Sequence, residues 1–328
     1  MMKILVLGLM VGLVASQSLS VNAADKIVKI DGSSTVLPVT EAVAEEFQNA
    51  KAGAVKVTVG ISGTGGGFKK FCRGEIDISD ASRPIKTEER LACKEAGVSF
   101  VELPVAYDAL TVVVNPKNTW ASKLTVAELK KIWEPAANGV ITNWNQVRAD
   151  FPDQPLKLYG PGTDSGTFDY FTEAVVGKSK SSRPDYTASE DDNVLVQGVS
   201  NDIGALGYFG YAYYAENTGK LKAVAIDNGK GGVLPSRETV ENGTYSPLGR
   251  PIFIYVSKKS LAKPEIKEFA EFYLKSTPTL VPSVKYIALP ATISALVKDR
   301  LDKQILGTSF HTTSGEKLED QIKIAPKI

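Results

Sequence analysis

Three times along this chain a short strand pattern runs into a loop of glycine and hydroxyl residues and then into a helix pattern. The loops are Gly32-Ser33-Ser34-Thr35, Ser62-Gly63-Thr64-Gly65-Gly66-Gly67 and Gly160-Pro161-Gly162-Thr163-Asp164-Ser165-Gly166-Thr167. This arrangement constrains fold and chemistry together. Strands that alternate with helices argue for parallel sheet and an α/β class. The start of each following helix offers unpaired N–H groups at the positive end of its dipole. Glycine lets the backbone approach a ligand closely, and Ser and Thr add neutral hydroxyl donors. Together these are the parts of an oxyanion site that needs no metal. For one loop alone, ordinary helix capping explains the composition equally well. Three such loops in one chain favour an anion.

The flanking patterns extend the α/β reading. Lys26–Ile30 and Val55–Ile61 alternate apolar and polar residues as strands do, whereas Val39, Val43 and Phe47 mark a helix over Val36–Lys51. Further strands are expected at Ile76–Ile78, Lys157–Tyr159 and Leu221–Ile226. Further helices are expected at Phe68–Cys72, Glu88–Ala96, Leu124–Trp133, Phe168–Val176, Asp192–Ser200, Pro264–Lys275 and Ala291–Gln304. Two long apolar runs, Ala109–Asn115 and Pro251–Ser257, bracket a self-contained middle block. They are read as crossings between two lobes. Lobe I is then discontinuous, residues 24–109 and 252–328, and lobe II is residues 110–251. The hinge candidates are Ala106–Leu110 and Gly249–Ile252.

The N-terminus carries a different signal. Met1-Met2-Lys3 precedes an apolar run from Ile4 to Ala15, and Val21-Asn22-Ala23 supplies small residues for cleavage. Residues 1–23 therefore read as a secretory signal peptide, too short to span a bilayer comfortably. No cysteine follows the run, so no lipid anchor is expected and the destination is the periplasm. Its removal takes away one of the 38 Lys+Arg of the full chain, so the basic residues that remain equal the 37 Asp+Glu in number. A balanced charge argues against nucleic acid as a partner. With a single His, His311, a Ser-His-Asp hydrolase or a histidine-rich metal site has at most one imidazole to work with, and two cysteines cannot build a zinc cluster. After export, Cys72 and Cys93 are most simply one disulfide, with a pair of buried free thiols as the alternative. No cofactor and no catalysis are expected.

Other motifs are weaker. Thr163-Asp164-Ser165-Gly166 resembles a serine-protease nucleophile region, but the one His follows it in sequence and the surroundings are helical. Gly160-x-Gly162-x-x-x-Gly166 is only a loosened dinucleotide fingerprint.

Taken in order, four runs resemble the periplasmic phosphate-binding protein of ABC phosphate transporters. They are Asp31-Gly32-Ser33-Ser34-Thr35-Val36, Gly63-Thr64-Gly65-Gly66-Gly67-Phe68-Lys69, Ile76-Asp77-Ile78-Ser79-Asp80-Ala81-Ser82-Arg83-Pro84 and Gly162-Thr163-Asp164-Ser165-Gly166-Thr167. The stretch Gly204-Ala205-Leu206-Gly207-Tyr208-Phe209-Gly210-Tyr211 is also typical of that family. The resemblance implies a two-lobed binding protein, each lobe a mostly parallel sheet flanked by helices, with a cleft that closes on phosphate. It implies contacts from Ser34, Thr35 and the N–H of Val36, from Thr64 and Gly65, and from Ser165, Gly166 and Thr167. It also implies permease subunits of an ABC importer as partner and a monomeric chain.

The chain departs from the family in two places. The family's Arg before Ser-Gly-Thr falls here on Pro161, and its carboxylate near Ala81-Ser82-Arg83 is replaced by Ser82 and Arg83. The expectation is that Arg83 supplies the cation and Asp164 the carboxylate, although Arg83 beside Pro84 also reads as a solvated surface residue. A carboxylate discriminates, because protonated phosphate can donate a hydrogen bond to it and sulfate cannot. The alternatives are a binding protein for sulfate or molybdate and a phosphoester hydrolase.

Overall fold

The computed structural model describes residues 26–163, 165–189, 191–310 and 317–327. The expected signal peptide, Asp164 and His311 lie outside the described residues. The chain begins with β1 (Lys26–Gly32), α1 (Leu37–Ala50), β2 (Val55–Ile61), α2 (Gly63–Cys72), β3 (Ile78–Ala81) and α3 (Thr87–Glu95). It continues with β4 (Phe100–Val114), β5 (Lys123–Thr125), α4 (Val126–Trp133), α5 (Trp144–Val147), β6 (Lys157–Pro161), α6 (Gly166–Phe171), β7 (Thr187–Ser189), α7 (Asp192–Asn201) and β8 (Ala205–Gly210). The last part holds α8 (Tyr211–Glu216), β9 (Lys222–Ala223), β10 (Ala225–Asp227), β11 (Gly232–Val233), α9 (Arg237–Glu241), β12 (Gly249–Ser257), α10 (Pro264–Ser283), β13 (Ile287–Ala288), α11 (Ala291–Asp302) and α12 (Leu318–Ile322).

The expected α/β class, a central sheet with helices on it, is what forms, with strand order β2-β1-β3-β12-β4-β8-β6-β7. Strand direction divides this sheet. β1 pairs parallel with β2 and β3, and β6 pairs parallel with β7 and β8. Every pairing of β4 or β12 with another strand is antiparallel. Each lobe thus has a parallel set, β2-β1-β3 or β8-β6-β7, as expected, and the two strands at the centre of the whole sheet, β12 and β4, run in opposite directions. β4 is one 15-residue strand, buried throughout. Its first part, Phe100 to Ala109, pairs with β12, and Leu110 to Val114 pairs with β8. The partner changes between Ala109 and Leu110, where Leu110 N–H donates to the Leu248 carbonyl at 2.8 Å.

Side-chain packing explains the local choices. α1 buries Val39, Val43 and Phe47, and the Phe47 ring meets Phe269 of α10 edge-on at 5.2 Å. α2 starts at Gly63, so the glycine run forms its first turn instead of a loop before it. A Cβ at Gly67 would lie 2.7 Å from Gly32 Cα and 3.0 Å from the Asp31 carbonyl, so glycine lets α2 sit directly on β1. On the other lobe Trp133 packs edge-on against Phe171, Tyr186 and Tyr208. α10 runs on past the expected end at Lys275, through Pro278 and Pro282. Cys72 and Cys93 form a disulfide, with Cα atoms 4.3 Å apart, that ties the end of α2 to α3. No described helix is long and apolar enough to cross a membrane.

Burial raises three carboxyls well above their ordinary range in this frame. Desolvation pushes Asp80 up to about 8, with the nearby Asp31 charge adding to the shift. It likewise pushes Glu102 up to about 7 and Asp108 up to about 6. The unfolded chain releases these protons near the ordinary carboxylate range, about 4, while the folded chain holds them longer. Between those limits the folded state binds more protons, so stability is full below about pH 4 for these groups and is lost as pH rises through the folded values. Thermal melts followed by circular dichroism should show a midpoint that falls from pH 5 to pH 8, and a flatter profile for Asp80→Asn. An unchanged profile in Asp80→Asn would assign the slope to other groups.

Candidate anion site at the lobe interface

Loop 1 follows β1. Its Ser33 N–H donates to the Asp80 carbonyl at 3.0 Å, which fixes the loop to β3. Ser33 Oγ accepts from Thr35 N–H at 3.2 Å, and the Ser33 carbonyl accepts from the N–H groups of Val36 and Leu37. Val36 is fully buried, so its N–H serves the loop's own turn. At the second loop no side chain caps α2. Ser62 Oγ instead donates to Asp31, whose other oxygen accepts from Lys70 Nζ at 2.6 Å. Thr64 Oγ1 accepts from Ser82 N–H at 3.1 Å and lies 3.0 Å from Ser82 Oγ.

These segments meet the other lobe. Ser34 Oγ donates to Asp169 Oδ2 at 3.1 Å, and Thr35 Oγ1 donates to the Gly166 carbonyl at 3.2 Å. Between the lobes lies a cavity of about 180 Å³. Ser34, Thr35, Thr64, Gly65, Ser82 and Arg83 all line it, so six of the residues expected from sequence converge on one space. Asp169, Tyr170 and Glu173 line it from α6 and the π-helical turn that follows, and Arg250 from β12. A second cavity of about 260 Å³ adjoins it, sharing Ser82, Arg83, Tyr170, Glu173 and Arg250.

The third loop is used differently. Ser165 caps α6, its Oγ accepting from Thr167 N–H at 3.1 Å, and neither residue is among those lining the 180 Å³ cavity. Gly166 packs against loop 1: a Cβ there would lie 2.8 Å from Thr35 N and 2.9 Å from Ser34 C. What this helix presents to the cavity is its next turn.

Two cationic groups reach the cavity. Arg83 grips Glu89 with both terminal nitrogens, each at 2.8 Å, and Nη1 also donates to the Pro84 carbonyl at 3.1 Å. Arg250 lies over the Tyr170 ring, Cζ to centroid 3.3 Å. Asp169 Oδ1 is buried without a hydrogen-bond partner, and burial pushes this carboxyl up from its ordinary value. Arg250 and Asp169 are invisible to a motif search, because a lone Arg in a strand and a lone Asp on a helix look like surface positions. The one signal at Arg250 is its place within the expected crossing at Gly249–Ile252.

Comparison with known proteins places this geometry. A sequence model of the PBP superfamily domain matches residues 18–277. The chain is 54% identical over 294 residues to Protein SphX of Synechocystis, covering 89% of this chain and 86% of that one. It is 38% identical over 266 residues to phosphate-binding protein PstS of Staphylococcus haemolyticus, covering 80% and 81%. The chain belongs to the PstS family of the PBP superfamily. Among solved structures, a possible phosphate-binding protein from Planctomyces limnophilus superposes with TM-score 0.82 at 52% identity, over 85% of this chain and 98% of that one. The PstS family frame agrees with the two-lobed architecture and with a cavity between the lobes.

Proposed function

We propose that this chain is exported, captures inorganic phosphate between its lobes and delivers it to an ABC importer in the inner membrane. The observation that carries the reading is convergence: hydroxyls and amides from three separate segments meet in one small interlobe cavity, in a chain of the PstS family. The proposed lobes are residues 24–109 with 252–328, and 110–251. Residues 1–23 are the proposed signal peptide. Ser34, Thr64, Gly65 and Ser82 donate to the anion, aided by the open N-terminus of α2, and the Ser34 and Thr35 hydroxyls reach it by giving up their bonds to Asp169 and the Gly166 carbonyl. Closure follows from bridging, since an anion that bonds to both lobes stabilises only the arrangement in which both reach it.

Selectivity belongs to Asp169. Its buried Oδ1, which takes no hydrogen bond and has Lys180 Nζ 3.9 Å away, accepts the proton of protonated phosphate, whereas fully ionised sulfate presents only lone pairs and charge. The test is calorimetric titration of ligand-stripped mature protein with phosphate and then sulfate. The expected result is a saturable phosphate isotherm that sulfate does not displace. Asp169→Asn should narrow the phosphate preference by about tenfold or more. Equal affinity for both anions in the unmodified protein would contradict the reading.

A further inference from the structure

We infer that Arg250 supplies the cation of the anion cavity and that Arg83 does not. The inference rests on the phosphate reading and assigns a residue within that site.

The geometry of Arg250 is unusual for a partly buried arginine. Its nearest acidic atoms are Glu173 Oε2, 3.7 Å from Nη1, and Asp108 Oδ2, 4.0 Å from Nε. Both lie beyond hydrogen-bond range. Nε and Nη2 are buried and find no acceptor among the described residues. A guanidinium keeps its charge at any ordinary pH, and donors left unpaired in a protein interior are costly.

Elsewhere in this protein the same edge does a defined job. Arg148 holds Glu128 through Nε at 2.7 Å and Nη2 at 2.8 Å. Arg183 holds Asp185 through Nε at 2.5 Å and Nη2 at 2.8 Å. Arg73 holds Glu75 in the same way. In each case two parallel N–H groups grip two oxygens of one anion. Arg250 lines the cavity, and no carboxylate is hydrogen-bonded to that edge, Asp108 Oδ2 standing 4.0 Å from its Nε. The Tyr170 face and the charges of Glu173 beside Nη1 and Asp108 beside Nε keep the guanidinium in place without a hydrogen bond to the edge. An oxyanion that reaches Nε and Nη2 gains two bonds and breaks none. At Arg83 the same gain requires giving up the two-bonded grip on Glu89, whose Oε2 also accepts from Lys86 N–H.

The test is calorimetric titration of the full mature chain, stripped of ligand, with inorganic phosphate. Arg250→Gln should weaken binding by about 100-fold. Arg250→Lys keeps the charge and loses the two-bond edge, and should fall between Arg250→Gln and the unmodified protein. Arg83→Gln should weaken binding less than Arg250→Gln. A purely structural role is separated by melting without ligand: Arg250→Lys should melt close to the unmodified protein, yet show a smaller rise in midpoint when phosphate is added. The inference is overturned if both Arg250 variants bind as the unmodified protein does, or if Arg83→Gln is the more damaging change. It also falls if Arg250→Lys binds no better than Arg250→Gln. An unmodified protein that takes up no phosphate overturns the functional reading itself, a result distinct from all of these.

Discussion

Gly166→Ala is expected to weaken phosphate binding by roughly 5- to 150-fold while leaving the protein folded and its thermal midpoint nearly unchanged. The added methyl would lie 2.8 Å from Thr35 N and 2.9 Å from both Ser34 C and Thr35 Cα. These are backbone atoms of loop 1, so no side-chain rotation relieves the overlap. Loop 1 cannot retreat, because Ser33 N–H is fixed to the Asp80 carbonyl and the Thr35 carbonyl accepts from Tyr286 Oη at 2.8 Å. The overlap exists only where the lobes meet. It therefore acts on the closed state and spares each lobe's own core. Overpacking of this kind costs about 1–3 kcal/mol, and a penalty on the closed state alone appears directly as lost affinity. Titration with phosphate and melting without it check both halves. Unaltered affinity in Gly166→Ala would show that phosphate is held without this lobe contact.

Gly32→Ala should act on stability instead, lowering it by about 3 kcal/mol or more. Gly32 pairs with Asp80 across the parallel β1–β3 ladder and has φ +151°. A Cβ there would lie 2.1 Å from the Asp80 carbonyl oxygen and 2.8 Å from its amide nitrogen, inside one lobe. No opening of the cleft relieves that contact. The strands must part, and the ladder that seats loop 1 goes with them. Urea denaturation compared with the unmodified protein is the check, and an unchanged midpoint would contradict the close β1–β3 packing described here. The two glycines separate the roles of the two contacts, one holding a lobe together and the other letting the lobes meet.

Much of this arrangement is legible in the sequence where a residue's type reflects its immediate neighbours. Val55–Ile61 alternates and is a strand over that same range. The cysteine pair and the hydroxyl-rich segments at Ser34, Thr64 and Ser82 follow the same rule. The first part of β4 is harder to see, because Glu102, Pro104 and Asp108 interrupt the apolar run. Glu102 is tolerated through long-range partners. Glu102 accepts from Tyr255 Oη at 2.5 Å and from Ser309 N–H at 2.9 Å, and neither residue is near it in sequence. β8 is obscured by Gly207 and Gly210, which carry no strand signal. Gly207 is required because a Cβ there would meet Val199 at 2.7 Å. The third loop has the composition of an anion loop, yet its glycine serves the contact between lobes. Composition alone does not distinguish an approach to a ligand from an approach to another backbone. Arg250 and Asp169 become conspicuous only when their unpaired atoms are located, which requires the folded neighbourhood.

The central claim is that one phosphate bridges the two lobes in the cavity between loop 1, the start of α2 and Arg250. A crystal structure of the mature chain grown with phosphate tests it most directly. The account predicts the anion within hydrogen-bond reach of Ser34, Thr64 and the Nε–Nη2 edge of Arg250, with Gly166 against Thr35. Phosphate bound outside this cavity, or within it while that edge of Arg250 faces elsewhere, would contradict the account.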